Sequence, residues 1–537
     1  MELTGLPQTL TASSYVVASA VTLFAVYVFS VATYRLFFSP LSSIPGPWYA
    51  AVSDFWLTTH VARLQQCMTV NKLFEIYGPV VRIGPNRIAF KDLKGVKNVY
   101  SVHKFDKAPS YLKMRSTYVS SRFVYRMTFL DAAAHGARRK AWGPHYTMGH
   151  LTKFQPDMQD AARQLIEATA AFKKGPIDCL VLYRHFTIEI IMAAMYGCRL
   201  NALKSWSAGD EVPVCEAIGH FPLAITLRGA VPDWLWKLVC SIPHRGWQKI
   251  CNSGNANLEF TRKHLNDLRQ VVESGKDVDD EKMPMVLRLL RYRDPATGLP
   301  ALQDKDIVAE VLGHTIAGTD TTAITLSYFC WELGRRPDIV EKLRTELDTV
   351  MHDSMDVPDI AVLQSLPYLN AFLKEGLRIY GAAPSLLERE TPPAKDPFSI
   401  GGHTLPAHTV VAAQAWSLHR DPRVFPEPEK FRPERWLEGD TTAMNAQLFP
   451  FGFGTRVCAG QHLAQMVMRM GLAAMVLNFD IEVPPETTEK SMAICDAFVI
   501  FPASMACKVI TICSAPFERF LISCPAHISS SHACFSA

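Results

Sequence analysis

Hydrophobic and polar positions divide the chain into unequal parts. From Met1 to Tyr34 the one charged side chain is Glu2, and residues 15–34 read YVVASAVTLFAVYVFSVATY. An apolar run of this length, as a helix, spans about 30 Å, the thickness of a bilayer's hydrocarbon core. Tyrosines near both ends suit the two interfaces. No Lys or Arg precedes the run and Arg35 follows it. A cleaved signal peptide needs a basic start and a shorter apolar stretch, so the pattern favours a single-pass anchor. The positive-inside rule then puts the bulk of the chain in the cytosol. Pro40, Pro45 and Pro47 follow closely. They stop the helix and predict a stiff, extended connector.

The remainder is mostly helical in period. Residues 77–92 predict a small hairpin, two apolar runs around Gly84-Pro85-Asn86. Residues 398–415 predict a second strand-rich patch, broken by Gly401, Gly402 and Pro406. A long helix is predicted to start near Asp304 or Asp306 and run to about Arg336, before Pro337. At roughly 45 Å it crosses a whole domain. Its middle reads AGTDTT, residues 317–322. Gly318 costs about 1 kcal/mol of helix stability relative to alanine. Asp320 puts a charge among apolar flanks. These departures point either to function or to a close helix crossing. The fold class is mainly α with a smaller β portion, in one large domain behind the anchor.

Composition excludes some classes. The net charge is only +4, so no basic field points to nucleic acid. The 13 cysteines form no CxxC pair and no regular spacing. Most read as small buried hydrophobes in a reducing compartment. Cys458 stands apart. It lies in FGFGTRVCAG, residues 451–460, just before the apolar-periodic helix QHLAQMVMRMGLAAMVLNF. Unpaired N–H groups and the dipole at a helix start favour a thiolate, the metal-binding form of cysteine. Gly452, Gly454 and Gly460 permit tight turns and the approach of a flat group. Arg456 can reach an anionic substituent on that group.

This decapeptide matches F-x-x-G-x-R-x-C-x-G at Phe451, Gly454, Arg456, Cys458 and Gly460. It resembles the haem-binding signature of the cytochrome P450 monooxygenases. A chance match in a chain this long is roughly one in ten thousand, which lifts Cys458 out of the background of cysteines. The resemblance extends over about residues 45–512, in order. It implies the P450 fold, with the long helix over haem b and the cysteine loop beneath it. Cys458 is then the iron ligand. Ala317 and Gly318 let dioxygen sit against the helix, and Asp320 and Thr321 manage its protons. Glu375 and Arg378 of KEGLR, with Arg435 of PERW, resemble the family's buried structural charge network. His135 and Arg139 form an H-x-x-x-R pair of the kind that faces the haem propionates. A solvated basic helix face with Arg138 and Lys140 stays open beside that reading. Arg389 is a further propionate candidate.

The implied reaction is insertion of one oxygen atom of dioxygen into an organic substrate. The chain has no GxGxxG after a strand and no second domain for flavin, so it is not self-sufficient in electrons; the resemblance implies a separate, membrane-bound NADPH-cytochrome P450 reductase as the donor. That partner docks on the cysteine side through basic residues such as Arg138 and Lys140. Substrate walls are expected at residues 106–128, 205–240 and 498–502 and on the long helix. His314, on that helix, reads as a packed, hydrogen-bonded histidine ahead of a substrate contact. The substrate is an apolar small molecule. The proline-rich connector and HRDPRVFPEPEKFRPERW most resemble fungal microsomal members of secondary metabolism, which places the chain in the endoplasmic reticulum membrane. The expected partition is anchor 1–39, connector 40–48, haem-thiolate domain 49–513 and a C-terminal tail 514–537 of unknown role. The rival readings are a haem-thiolate isomerase or dehydratase that does not use dioxygen, and a non-enzymatic haem or lipid binder.

Overall fold

The computed structural model describes residues 8–112, 131–274, 282–293, 297–300, 302–393 and 398–514. The C-terminal tail, beyond its first residue, lies outside these, as does most of the 106–128 wall. Helix α1 covers Gln8–Thr33, and a wider turn, Tyr34–Phe38, closes it. The segment Ser14–Phe38 is long and apolar enough to cross a membrane. The proline-rich stretch that follows is tied down along its length. Leu41 and Ile44 enter a hydrophobic cluster with Val80, Ile88 and Tyr100. The buried Arg82 side chain donates to the Arg35 and Pro85 carbonyls at 2.8 Å each. Its backbone N–H donates to Pro45 O at 2.8 Å. The connector is therefore part of the folded body. Sequence patterning missed this because the partner strand is far along the chain.

Short helices α2 (Trp48–Val52) and α3 (Phe55–Ala62) lead to the expected hairpin, β1 (Val80–Gly84) with β2 (Arg87–Phe90). Its sheet is completed by distant strands in the order β1-β2-β7-β4. Here β4 is Arg389–Glu390 and β7 is Val410–Ala412, and β7 runs parallel to β2. The strand-rich patch supplies β5 (Phe398–Ile400), β6 (His403–Leu405) and β7. A three-stranded sheet joins β3 (Ile177–Asp178), β11 (Lys508–Cys513) and β8 (Phe479–Glu482). Strands β9 (Ile494–Ala497) and β10 (Val499–Pro502) pair as a hairpin.

The helices that frame the site, numbered on in chain order, are α4 (Ala132–Trp142), α5 (Cys179–Ile191), α6 (Pro213–Ala230), α7 (Asp233–Cys240) and α8 (Arg245–Glu273). They are followed by α9 (Asp304–Arg335), α10 (Pro367–Tyr380) and α11 (Gln461–Asn478). The long helix α9 has 32 residues and is buried along most of its length. Gln303, rather than an aspartate, occupies its N-cap, in a reciprocal capping box with Asp306. Its many hydroxyls are no burden in the core. Thr315, Thr319, Thr321 and Ser327 each donate to the carbonyl four residues back at 2.8–2.9 Å.

Candidate active site

A cavity of about 320 Å³ lies between the middle of α9 and the cysteine loop. Ala317, Gly318, Asp320 and Thr321 line one side; Phe451, Arg456, Cys458 and Gly460 line the other. The loop is shaped by its glycines. Gly452 and Gly454 have φ of +80° and +72°, which side-chain-bearing residues rarely adopt. A Cβ on Gly454 would lie 2.0 Å from Tyr100 O. This glycine thus serves a close approach of protein backbone, not only of a flat ligand. The Cys458 N–H donates to Phe451 O at 2.8 Å, closing the loop two residues before Gly460, the N-cap of α11.

His135 and Arg389 also line the cavity and are nearly fully buried. Lys107, unforeseen as a charge at the site, joins them. Its backbone bridges to that of Arg389, so only the folded sheet edge brings the two together. Arg389 is braced over the Tyr100 ring at 4.9 Å. Arg139 does not line the cavity. It donates to Thr455 O at 2.8 Å and so braces the cysteine loop from outside. Arg138 pairs with Asp306 at 2.6 Å and is largely covered, which leaves Lys140 as the exposed cation of that stretch.

Gly318 lies at a close helix crossing and also at the cavity wall. It lines the cavity, and a Cβ there would come 2.5 Å from Ile191 Cδ1 on α5. Thr321 Oγ1 donates to Ala317 O at 2.8 Å. Asp320 is 3% exposed, and its Oδ1 accepts from Arg184 Nε of α5 at 2.8 Å. Burial pulls the Arg184 guanidinium down, but the Asp320 charge and hydrogen bond outweigh it and hold it above the usual arginine range. The guanidinium lies against Gly219 of α6, where a Cβ would meet Arg184 Cζ at 2.4 Å. A second, smaller cavity of about 170 Å³ adjoins this pair, lined by Arg184, Glu211, Glu216, His220 and Asp320 among others. Asp320 therefore borders both cavities. Nothing in the local sequence marks Arg184 or Gly219, since the contact spans three helices. His314 is packed as expected. Its Nδ1 bonds the Tyr146 hydroxyl at 2.8 Å, and its ring stacks on Tyr146 at 5.4 Å, while it also borders the cavity.

Below the loop, Glu375 accepts from Arg378 Nη2 and Nε at 2.8 and 2.9 Å and from Arg435 Nε at 2.9 Å. Trp436 Nε1 adds a bond at 3.0 Å. Arg378 also donates to His419 O and Pro428 O at 2.9 and 2.6 Å. His419 connects this network to the loop. Its Nε2 accepts from the Phe449 N–H at 2.9 Å, so its Nδ1 is the donor to Arg378 O at 3.2 Å. Burial, then the charges of Arg378 and Arg420, push His419 down to about 3.

The cytochrome P450 family model matches residues 44–507. The chain belongs to the cytochrome P450 family. It is 28% identical to cytochrome P450 monooxygenase aflV of Aspergillus parasiticus, over 88% of this chain and 92% of that protein. It is 29% identical to cytochrome P450 monooxygenase stcB of Emericella nidulans, over 88% and 89%. It is 28% identical to tryprostatin B 6-hydroxylase of Aspergillus fumigatus, over 85% and 78%. The chain is accordingly a P450 monooxygenase, and membership implies a haem-thiolate cofactor, dioxygen, a redox partner and a small-molecule substrate. The residues fit that cofactor. Among the described residues one thiol, Cys458, faces the cavity, the cationic Lys107, Arg389 and Arg456 border it together with His135, and the one lining carboxylate, Asp320, is neutralised by Arg184. Among the described residues no cluster of three or more His, Cys, Asp or Glu side chains could hold a metal ion directly.

Proposed function

We propose that the protein is a membrane-anchored haem-thiolate monooxygenase that oxidises an apolar small molecule in fungal secondary metabolism, using dioxygen and electrons from a separate NADPH-dependent P450 reductase. The observation that carries this reading is a single cavity with Cys458 on one wall and the Ala317–Thr321 turn on the other. When bound, the haem supplies dioxygen activation, and a thiolate ligand favours O–O cleavage.

The chain's own residues do the rest. Cys458, at the positive end of α11, is the iron ligand, and the helix start favours its thiolate form. Arg389, Arg456, His135 and Lys107 balance the propionate charges, while Arg139 steadies the loop. Ala317 and Gly318 leave room for a diatomic ligand against α9. Thr321 donates its hydroxyl proton to Ala317 O, so its oxygen lone pairs face the cavity as acceptors. Asp320 brings protons from the second cavity, and to do so its carboxylate leaves Arg184. Phe221, Ile225, Phe498 and Val499 form apolar walls on the lined cavity, which suits a hydrophobic substrate. The names of the relatives, a tryprostatin hydroxylase among them, point to hydroxylation or a similar oxidation of a fungal metabolite.

Residues 1–39 serve as anchor, 40–48 as connector and 49–513 as the catalytic domain. Exposed Trp48 and Phe55 lie just past the anchor, and Trp234 and Leu238 lie on α7. Helix α6, which leads into α7, packs against α3. These side chains extend the anchor's apolar contact with the bilayer. The apolar helix supports a membrane anchor and Arg35 after it supports a cytosolic catalytic domain; the endoplasmic reticulum placement rests on the resemblance to fungal microsomal members.

The test is oxygen consumption by the purified enzyme with reductase and NADPH, set against metabolite profiles with and without the gene product. Substrate-dependent uptake with one oxygen-bearing product is expected. Conversion of a substrate without oxygen uptake would favour the isomerase or dehydratase instead.

A further inference from the structure

One buried carboxylate behind the cavity wall ties three distant segments together. Asp496, on β9, is 2% exposed. Its Oδ1 accepts from the Ser385 hydroxyl at 2.5 Å and from the Phe498 N–H at 3.2 Å. Its Oδ2 accepts from the Cys67 N–H at 3.0 Å. Cys67 is the second residue of the helix Gln66–Tyr77, whose N-cap, Gln65, makes no side-chain capping bond. A carboxylate 429 residues away in sequence therefore satisfies a free amide at the positive end of that helix. The Asp496 N–H in turn donates to Leu64 O at 2.8 Å, so the two segments are joined at two points.

The bond to Phe498 falls at a strained point. Ala497 pairs with Val499, so Phe498 alone turns the chain from β9 into β10. Its φ is +70°, a left-handed backbone that bulky side chains rarely adopt. Such a conformation persists only where its surroundings over-determine it, and it clusters at sites that use it. Phe498 and Val499 both line the cavity. The second segment held by Asp496 is also cavity wall. Ser385 follows the lining residues Ala382 and Ala383 closely, and Ala382 O accepts from the Ile500 N–H of β10 at 2.9 Å. Two pieces of the wall thus share one buried anchor.

We propose that Asp496 is a positioning residue for ligand selection: by fixing Phe498 in its left-handed turn it sets how far that ring closes the cavity, and so the size of molecule the site admits. Asp496 does not itself line the cavity, so it acts through Phe498. Without the carboxylate the turn relaxes toward negative φ and the ring leaves the wall. Room for a bulky ligand grows, while a small ligand is indifferent. A carboxylate that served only as a cap for the helix Gln66–Tyr77 would lower stability and leave the size preference alone. The effect on ligands rests on the haem-site reading; the hold on the turn does not.

Full-length enzyme with its haem, in detergent, is titrated with imidazole and with the bulky azole clotrimazole, each followed by its Soret shift. Asp496→Ala should bind imidazole as the wild type does and clotrimazole severalfold more tightly. Phe498→Ala should move the same preference in the same direction, and adding Asp496→Ala to it should change nothing further, since the two act through one ring. Asp496→Asn keeps the size of the side chain but opposes one of the three donors with its own amide. It should shift the preference the same way, and it carries the test if the alanine variant fails to take up haem. Backbone amide exchange over residues 494–502, followed by mass spectrometry, should quicken in both Asp496 variants, a readout that needs no haem. An unchanged ratio of the two affinities in both variants, or unaltered exchange across the turn, overturns the positioning role. A wild type with no imidazole-induced Soret shift would count against the haem site itself, and the exchange rates would then decide the role of Asp496.

Discussion

At the scale of single residues, the site depends on a few atoms whose partners are now visible. Replacing Cys458 with Ala should abolish the thiolate-type spectrum of the reduced carbon monoxide complex, and a retained spectrum would sink the ligand assignment. Thr321→Ala should keep the fold, since Thr321 bonds only within its own helix, while NADPH oxidation yields hydrogen peroxide in place of product. The ratio of product to NADPH consumed measures this. Asp320 is bound by the largely covered Arg184, so the proton role proposed for AGTDTT requires a movement that the motif does not reveal. Gly219→Val should displace the Arg184 guanidinium and alter the solvent isotope effect and pH profile of turnover, with the haem spectrum unchanged. The cysteine loop and Asp-Thr pair were legible because short motifs carry them. Arg184, Gly219 and Lys107 were not, because each reaches the site from a separate element and carries no local pattern.

At the scale of elements, the charge network is the support on which the loop rests. Removing one member of a buried charged set typically costs about 3–5 kcal/mol. Glu375→Ala should therefore lose stability of that order in a denaturant titration, with parallel loss of haem incorporation. His419 adds a pH dependence. Its folded pKa lies far below the ordinary histidine value, so the unfolded chain takes up the proton first as pH falls. The stability it contributes is complete above about pH 6.5 and is lost as pH drops toward about 3. Unfolding titrations from pH 7 to 4 should show a smaller slope in His419→Asn than in the wild type. The long helix and the first hairpin were legible from period and turn residues. The parallel pairing of β2 with β7 was not, since those strands lie more than three hundred residues apart. Nor was the N-cap of α9, where glutamine does the work expected of aspartate.

At the scale of the whole molecule, the junction of anchor and body decides how the enzyme can be handled. A chain lacking residues 1–33 keeps Arg35, whose carbonyl accepts from Arg82 and whose guanidinium donates to Val52 O at 2.6 Å. It should fold and still bind anionic vesicles weakly through Trp48, Phe55, Trp234 and Leu238. A chain lacking residues 1–47 also loses Leu41, Ile44 and the Pro45 carbonyl, and its melting temperature should fall. Flotation and thermal melts separate the two. The His419 bridge has a consequence at this scale as well. One imidazole joins the arginine network to the Phe449 amide, two residues before the cysteine loop begins. The haem-binding loop and the buried arginine network are thus mechanically linked through one side chain. In a heating experiment the bleaching of the pigment and the melting of the helices should trace one curve, so the colour of a preparation reports directly on how much of it is folded.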